Sequence, residues 1–289
     1  MTALELVNLP KLMQRTTGRP EIIVALIDGP LLMANPQNWG KSVRYLKGSQ
    51  TGTCTNPDSA ACWHGTFVAS MLGAIRESHA AAICPGCTLL VRAIFPEATT
   101  AREQEPSASA DTLAAAIVDS VDAGARVLNM SMGLGHPSCR PEPRLQQAMD
   151  YAAQHGVIPV VASGNQYAVG SSALTRHPWT MPVVGCSLNG RPTFESNLGR
   201  SGRGRSLRAP GENVVGLGSD GNLKMLRGTS VGAPFVTGTI ALLWSEFPKA
   251  SARDVRLSLM QHSSGPHSAL VPPLLNAEAA YQSLAAHIH

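Results

Sequence analysis

The sequence predicts an α/β fold of three layers, a mostly parallel β-sheet flanked by helices. Three observations predict it. Apolar runs rich in β-branched residues recur along the chain. They alternate with segments whose apolar positions fall at helical spacing. Gly and Pro sit between these segments rather than in a low-complexity tract. The 289 residues are 44% hydrophobic and 15% charged, enough apolar material for one sizeable core. Residues 1–289 therefore read as a single domain, with 1–20 as an amino-terminal extension and 263–289 as a carboxy-terminal helical extension.

Taken in order, residues 21–28 are a continuous apolar run that suits a strand buried on both faces, ending in Asp28-Gly29-Pro30. From Phe67, the positions Val68, Met71, Leu72 and Ile75 make one helical stripe, which places His64-Gly65-Thr66 at a helix amino-terminal turn. Thr88 to Phe95 reads as a strand. Leu113, Ala116, Ile117, Ser120 and Val121 mark a helical face ending at Gly124. Arg126 to Met132 is another apolar run, 143–155 a helix, 156–162 a strand and Met181 to Cys186 a further strand. Leu188 to Gly228 reads as loop-rich. A helix follows from Thr229 to Phe247, and its Gly232, Ala233 and Gly238 imply close packing. Two more helices are expected around 251–262 and 276–286, separated by Gly265-Pro266 and Pro272-Pro273.

The net charge of +4 is small for this length, and the one dense basic cluster, Arg200, Arg203, Arg205 and Arg208, has no aromatic residue interleaved. This argues against nucleic acid as a partner. No apolar run approaches a membrane span, and the first 20 residues lack the charged start, apolar centre and small-residue site of a secretory signal. The expectation is a cytoplasmic protein that engages no membrane. Six cysteines occur: Cys54, Cys62, the Cys84-Pro-Gly-Cys87 turn, Cys139 and Cys186. A redox or half-zinc role for the turn lacks a second ligand pair, and Cys54 and Cys62 bracket a short loop that a disulfide can close.

A serine hydroxyl needs a base to take its proton and a third group to hold that base in the right tautomer. The chain offers one candidate for each role at an element end: Ser230 in Gly228-Thr229-Ser230-Val231-Gly232-Ala233-Pro234, His64 in His64-Gly65-Thr66-Phe67-Val68-Ala69, and Asp28 in Val24-Ala25-Leu26-Ile27-Asp28-Gly29. Singly, a Gly-Thr-Ser turn is an ordinary helix cap and an Asp after a strand an ordinary turn former. Jointly and in this order, the three segments resemble the subtilisin-like serine proteases over roughly residues 20–262.

The resemblance implies the subtilisin-like fold, peptide-bond hydrolysis, and Asp28, His64 and Ser230 as the triad. It implies Asn165, in Ala162-Ser163-Gly164-Asn165, as an oxyanion donor. It also implies that Ser131, Met132 and Gly133, with Ala162, Ser163 and Gly164, bind the substrate as an added strand and line the main specificity pocket. The partner is then a peptide or protein. No cofactor is required, and no run of closely spaced Asp and Asn resembling a calcium loop is present.

The chain departs from the frequent family pattern in Asp28-Gly29-Pro30, where Asp-Thr-Gly or Asp-Ser-Gly is common, and in Val231-Gly232-Ala233-Pro234-Phe235. Asp-Gly-Pro, together with Cys84-Pro-Gly-Cys87 and the strand ending in Ile94-Phe95, is similar to the cyanobactin-maturation proteases, which remove the leader of a ribosomal precursor peptide. A sister type closes peptide rings beneath an inserted helical lid near the catalytic His. Only 35 residues separate Asp28 from His64 here, without a basic amphipathic stripe, which favours hydrolysis over ring closure. Glu97 to Ser109 reads as a solvated loop, with a flap beside the cleft as the alternative, and the arginine cluster at 200–208 reads as a solvated surface loop, with contact to an acidic precursor as the alternative. The alternatives are a macrocyclase or ligase, and a catalytically silent peptide-binding pseudoprotease.

Overall fold

Seven strands pair in parallel across one sheet: β1 (Ile23–Asp28), β2 (Val43–Tyr45), β3 (Thr88–Ala93), β4 (Val127–Met130), β5 (Ile158–Ala162), β6 (Met181–Cys186) and β7 (Leu207–Pro210). Their order is β2-β3-β1-β4-β5-β6-β7. The computed structural model describes residues 1–289 apart from 41, 49, 98–106, 134–140, 200, 201, 203, 262–269 and 289.

Side chains alternate across the sheet, and each face has its own apolar cluster. Val24 and Leu26 of β1, Val127 of β4 and Val160 of β5 point to one face. There they meet α2 (Leu9–Arg15), α3 (Ala60–Gly73), α7 (Thr229–Glu246), α8 (Ala252–Gln261) and α9 (Ala277–Ile288), through Leu12, Phe67, Val236, Leu259 and Leu284. Ala25, Ile27, Leu128 and Val161 point to the other face, against Leu113 and Ile117 of α4 (Ala110–Asp122) and Leu145 of α5 (Pro143–Gln154). The layers are those the sequence predicts. Two short α-helices, α1 (Ala3–Leu6) and α6 (Ala173–Arg176), are also present among the described residues.

Two local readings change, and two terminal segments gain a structural role. The helix carrying His64 starts earlier, because the Ser59 hydroxyl accepts a 3.0 Å hydrogen bond from the Cys62 amide, so His64 lies in the second turn rather than the first. The stretch read as loop holds β7 and an antiparallel hairpin, β8 (Val214–Leu217) with β9 (Leu223–Leu226). β7 carries Arg208 and Pro210 and no β-branched residue, and β9 is half exposed, so neither shows an apolar run. Residues before β1 form α1 and α2, and Leu9 and Leu12 are fully buried in the main core. Finally, the segment ahead of α9 covers the β7 edge: the Arg208 amide donates to the Pro273 carbonyl at 2.7 Å and the Leu275 amide to the Arg208 carbonyl at 2.9 Å. A sheet edge is thereby closed to intermolecular pairing.

β1 lies at the point where the strand order reverses, with β3 on one side and β4 on the other. Ligands of open parallel sheets bind outside the carboxyl ends of the strands at such a switch point. The carboxyl ends of β1, β4 and β5 carry Asp28, residues 131–133 and residues 163–165 respectively.

Candidate active site

Asp28 continues the alternation of Val24 and Leu26 and so faces α3. Its carboxylate is fully buried, and Oδ1 accepts from the Gly29 amide at 2.7 Å and meets Nδ1 of His64 at 2.8 Å. The second oxygen, Oδ2, has no hydrogen-bond partner among the described residues. Two glycines make the approach possible. A Cβ at Gly29 would stand 2.0 Å from the Ala61 carbonyl oxygen, and one at Gly65 would stand 2.6 Å from the Gly29 carbonyl oxygen. The Asp-Gly-Pro variation therefore has a packing cause: α3 rests directly on the backbone after β1.

A disulfide ties the same two regions. Cys54 and Cys62 are bonded, with Cα atoms 5.7 Å apart. Cys54 lies in the loop hydrogen-bonded to Leu31, just beyond Asp28, while Cys62 sits in the first turn of α3. The Glu97 carboxylate anchors that loop by accepting from the amides of Thr55 and Asn56, each at 2.9 Å. Partial burial alone would raise the Glu97 carboxyl, but the Thr55 hydroxyl and these amides hold it below its usual range. Of the segment read as a loop or flap, Glu97 is thus an anchor, and 98–106 lie outside the described residues. Cys84 and Cys87 are buried free thiols, and Cys139 lies outside the described residues.

Ser230 occupies the first turn of α7. On its amino-terminal side, the Thr229 amide donates to Asn165 Oδ1 at 2.9 Å, and the Gly164 amide donates to the Thr229 hydroxyl at 3.1 Å. Anchoring Oδ1 leaves the Asn165 Nδ2 group without a partner among the described residues. On the other side, Ser131 Oγ donates to the Ser230 carbonyl at 2.7 Å. Ser230 Oγ itself forms no hydrogen bond among the described residues, so the serine and His64 are not yet bonded in this structure.

The segment 131–133 emerges from β4 beside 162–164: a side chain on Gly133 would come within 3.3 Å of the Gly164 Cα. Ser131 is 2% exposed and Ala162 is buried, whereas Met132 is half-buried and Gly133 exposed. The side-chain hydroxyl of Ser131 thus serves Ser230, and the open positions of the segment are Met132 and Gly133. Ser163 is half-buried, and its hydroxyl has no partner among the described residues.

The two described members of the arginine cluster are not free surface charges. Arg205 donates to the carbonyls of Thr180, Thr175 and Arg176 at 2.9–3.1 Å, and Arg208 is 6% exposed with its guanidinium on the Gly190 carbonyl. Both are tied to backbone, and Arg200 and Arg203 lie outside the described residues.

Comparison with known proteins places this geometry. The sequence profile of the subtilase family, peptidase S8, matches residues 19–280. The chain belongs to the subtilase family. Fervidolysin of Fervidobacterium pennivorans is 27% identical over 88% of this chain, which spans 39% of that protein's length. Among solved structures, the patellamide maturation protease PatA is 27% identical, with 93% of this chain and 98% of that chain covered and a TM-score of 0.80. The prenylagaramide maturation protease PagA is 26% identical, with 96% and 98% covered and a TM-score of 0.83.

Within this subtilase, His64 feels two opposed effects. Burial alone would lower its pKa, but the adjacent Asp28 carboxylate, by charge and hydrogen bond, raises it above the ordinary imidazole value. A base must be neutral to accept a proton, so the acidic limb of kcat/KM is expected to rise with an inflection above about 6.5. The linkage to stability has the opposite sign. A raised folded-state pKa stabilises the protein fully below the unfolded-state pKa, and that contribution is lost as pH rises through the folded value. A pH–rate profile on a chromogenic peptide checks the limb; an inflection at or below 6 would contradict the assigned pairing.

Proposed function

We propose that this protein is a serine endopeptidase that cleaves the leader from a ribosomally made precursor peptide. The observation that carries the reading is the 2.8 Å hydrogen bond between the buried Asp28 and the part-exposed His64 at the sheet's switch point, together with a serine-bearing helix start clasped to Asn165. In this reading Ser230 attacks the peptide carbonyl while His64 takes its proton through Nε2, and Asp28 orients the imidazole through Nδ1. The Ser230 amide and Asn165 Nδ2 hold the oxyanion. His64 then protonates the leaving amine and next activates a water that hydrolyses the acyl-enzyme.

The substrate is read as an extended strand against 131–133 and 162–164. β4 pairs with β1 only as far as Asn129, and a free strand edge can receive a peptide main chain. Asn165→Ala is expected to lower kcat by about a hundredfold to a thousandfold with little change in KM, checked by steady-state kinetics.

Leader removal is supported by the likeness to PatA and PagA over nearly the whole chain. Hydrolysis rather than ring closure is supported by the stretch between Asp28 and α3. Its described residues form β2 and a single 3-10 turn, Pro36–Asn38, with no α-helix to shield the site from water. Among the described residues, no helix is long and apolar enough to cross a membrane. The cytoplasm is the compartment we assign, where Cys54 and Cys62 would work against a reducing poise.

Incubating the purified protein with a synthetic precursor peptide that carries a leader and a core, followed by mass spectrometry, tests the reading. Linear leader and linear core are the expected products. A core lighter by one water would instead establish a macrocyclase, and an intact precursor would count against leader removal.

A further inference from the structure

Pro234 stands four residues after Ser230 in α7 and has no amide hydrogen, so the helix cannot supply the ordinary donor to the Ser230 carbonyl. Ser131 supplies it instead, from outside the helix, at 2.7 Å. A hydroxyl has only one hydrogen to give, and the structure shows what aims it. Asn129 Nδ2 donates to Ser131 Oγ at 2.8 Å, filling a lone pair and directing the Ser131 hydrogen toward Ser230. Asn129 Oδ1 in turn accepts from the Thr237 hydroxyl at 2.9 Å.

Each member is buried: Asn129 and Thr237 are 0% exposed and Ser131 is 2% exposed. A fully buried amide in a central strand is costly unless its polar atoms are paired. Asn129 follows the alternation of β4 onto the face that packs α7. Thr237 also behaves unlike its neighbours. The buried hydroxyls of Thr239 and Ser245 donate back to carbonyls of their own helix, at 2.7 and 2.8 Å, while Thr237 turns out to the strand.

We propose that Thr237, Asn129 and Ser131 form a relay of positioning residues that fixes the Ser230 backbone, and thereby the direction of its hydroxyl, by replacing the donor that Pro234 removes. The relay ties the segment that would hold substrate to the helix that carries the nucleophile. It acts through Ser230 and touches no reacting atom. The proposal rests on the serine-endopeptidase reading, and the test separates the two.

The test measures the rate of Ser230 labelling by a fluorophosphonate, and kcat and KM on a peptide p-nitroanilide. Thr237→Val keeps the shape and removes the hydroxyl; it is expected to slow labelling and lower kcat about tenfold, with KM within about twofold of wild type. Thr237→Ser restores the hydroxyl and should recover the wild-type rate. Thr239→Val removes an equally buried hydroxyl outside the relay and should leave the rate unchanged. Because the links are in series, Thr237→Val added to Ser131→Ala should cost less than about a further twofold.

The relay is overturned if Thr237→Val reacts at the wild-type rate, if the Val and Ser variants slow equally, or if the losses at 237 and 131 multiply. Should Thr237→Val fail to fold, Ser131→Ala decides alone: a loss in kcat supports the relay, and a loss confined to KM overturns it. Wild-type protein that resists the fluorophosphonate removes the endopeptidase reading itself, and the relay with it.

Discussion

Replacing Ser230 with alanine is expected to lower kcat for peptide hydrolysis by about six orders of magnitude. The size follows from the site's logic. In the proposed mechanism Asp28 and His64 serve to activate one hydroxyl, and without it they have nothing to deprotonate on the enzyme. What remains in that mechanism is the proposed oxyanion donor pair and substrate strand, worth roughly a thousandfold to ten-thousandfold over uncatalysed hydrolysis. Peptide binding should persist, because Thr229, Asn165 and Ser131 contact Ser230 and its neighbours through main-chain atoms that alanine retains. Active-site titration and equilibrium peptide binding, run on the same preparation, check both halves. Equal binding with no turnover by either protein would instead describe a peptide-binding module.

Asp28→Ala is expected to lower kcat by about four orders of magnitude, since the imidazole loses both its orienting acceptor and the negative charge that favours its protonated form. Asp28→Asn should cost less, for a reason specific to this site. Both the Gly29 amide and His64 Nδ1 point at the same oxygen, Oδ1. Two donors converging there select the carbonyl oxygen of an asparagine, so the imidazole keeps its tautomer and loses mainly the charge. The acidic limb of the rate profile should then move down, because burial alone acts to lower the His64 pKa. Kinetics of the two variants across pH decide the matter. An asparagine variant as slow as the alanine variant would show that its amide nitrogen faces the ring.

Much of this molecule was readable from residue order. The buried strands of the parallel sheet announce themselves because both faces must be apolar, as at Ile23–Ile27 and Met181–Cys186. The positions of Asp28, Asn165 and Ser230 follow from where such runs stop and helices begin, whereas His64 lies a turn further into its helix than the apolar stripe implies. Other features carry no local signature. β7 contains an arginine and a proline, and α3 begins on the small residues Ala60-Ala61-Cys62, which leave no stripe. Arg205 and Arg208 read as surface charge because nothing nearby in sequence reveals the carbonyls of Thr180 and Gly190 that bind them.

Residue order along the chain therefore picks out candidate groups for the chemistry and the element near which each one stands, since burial on one or two faces dictates the pattern of the buried strands and helices. Whether those ends meet is a matter of strand order, and pairing partners as distant as Val24 and Val127 are chosen by long-range packing that leaves no mark within either segment. The same holds for the hydroxyl of Ser131. Its sequence neighbours suggest a place beside substrate, but Pro234, 103 residues further on (234 − 131), denies the Ser230 carbonyl its helical donor, and the fold brings that carbonyl within 2.7 Å.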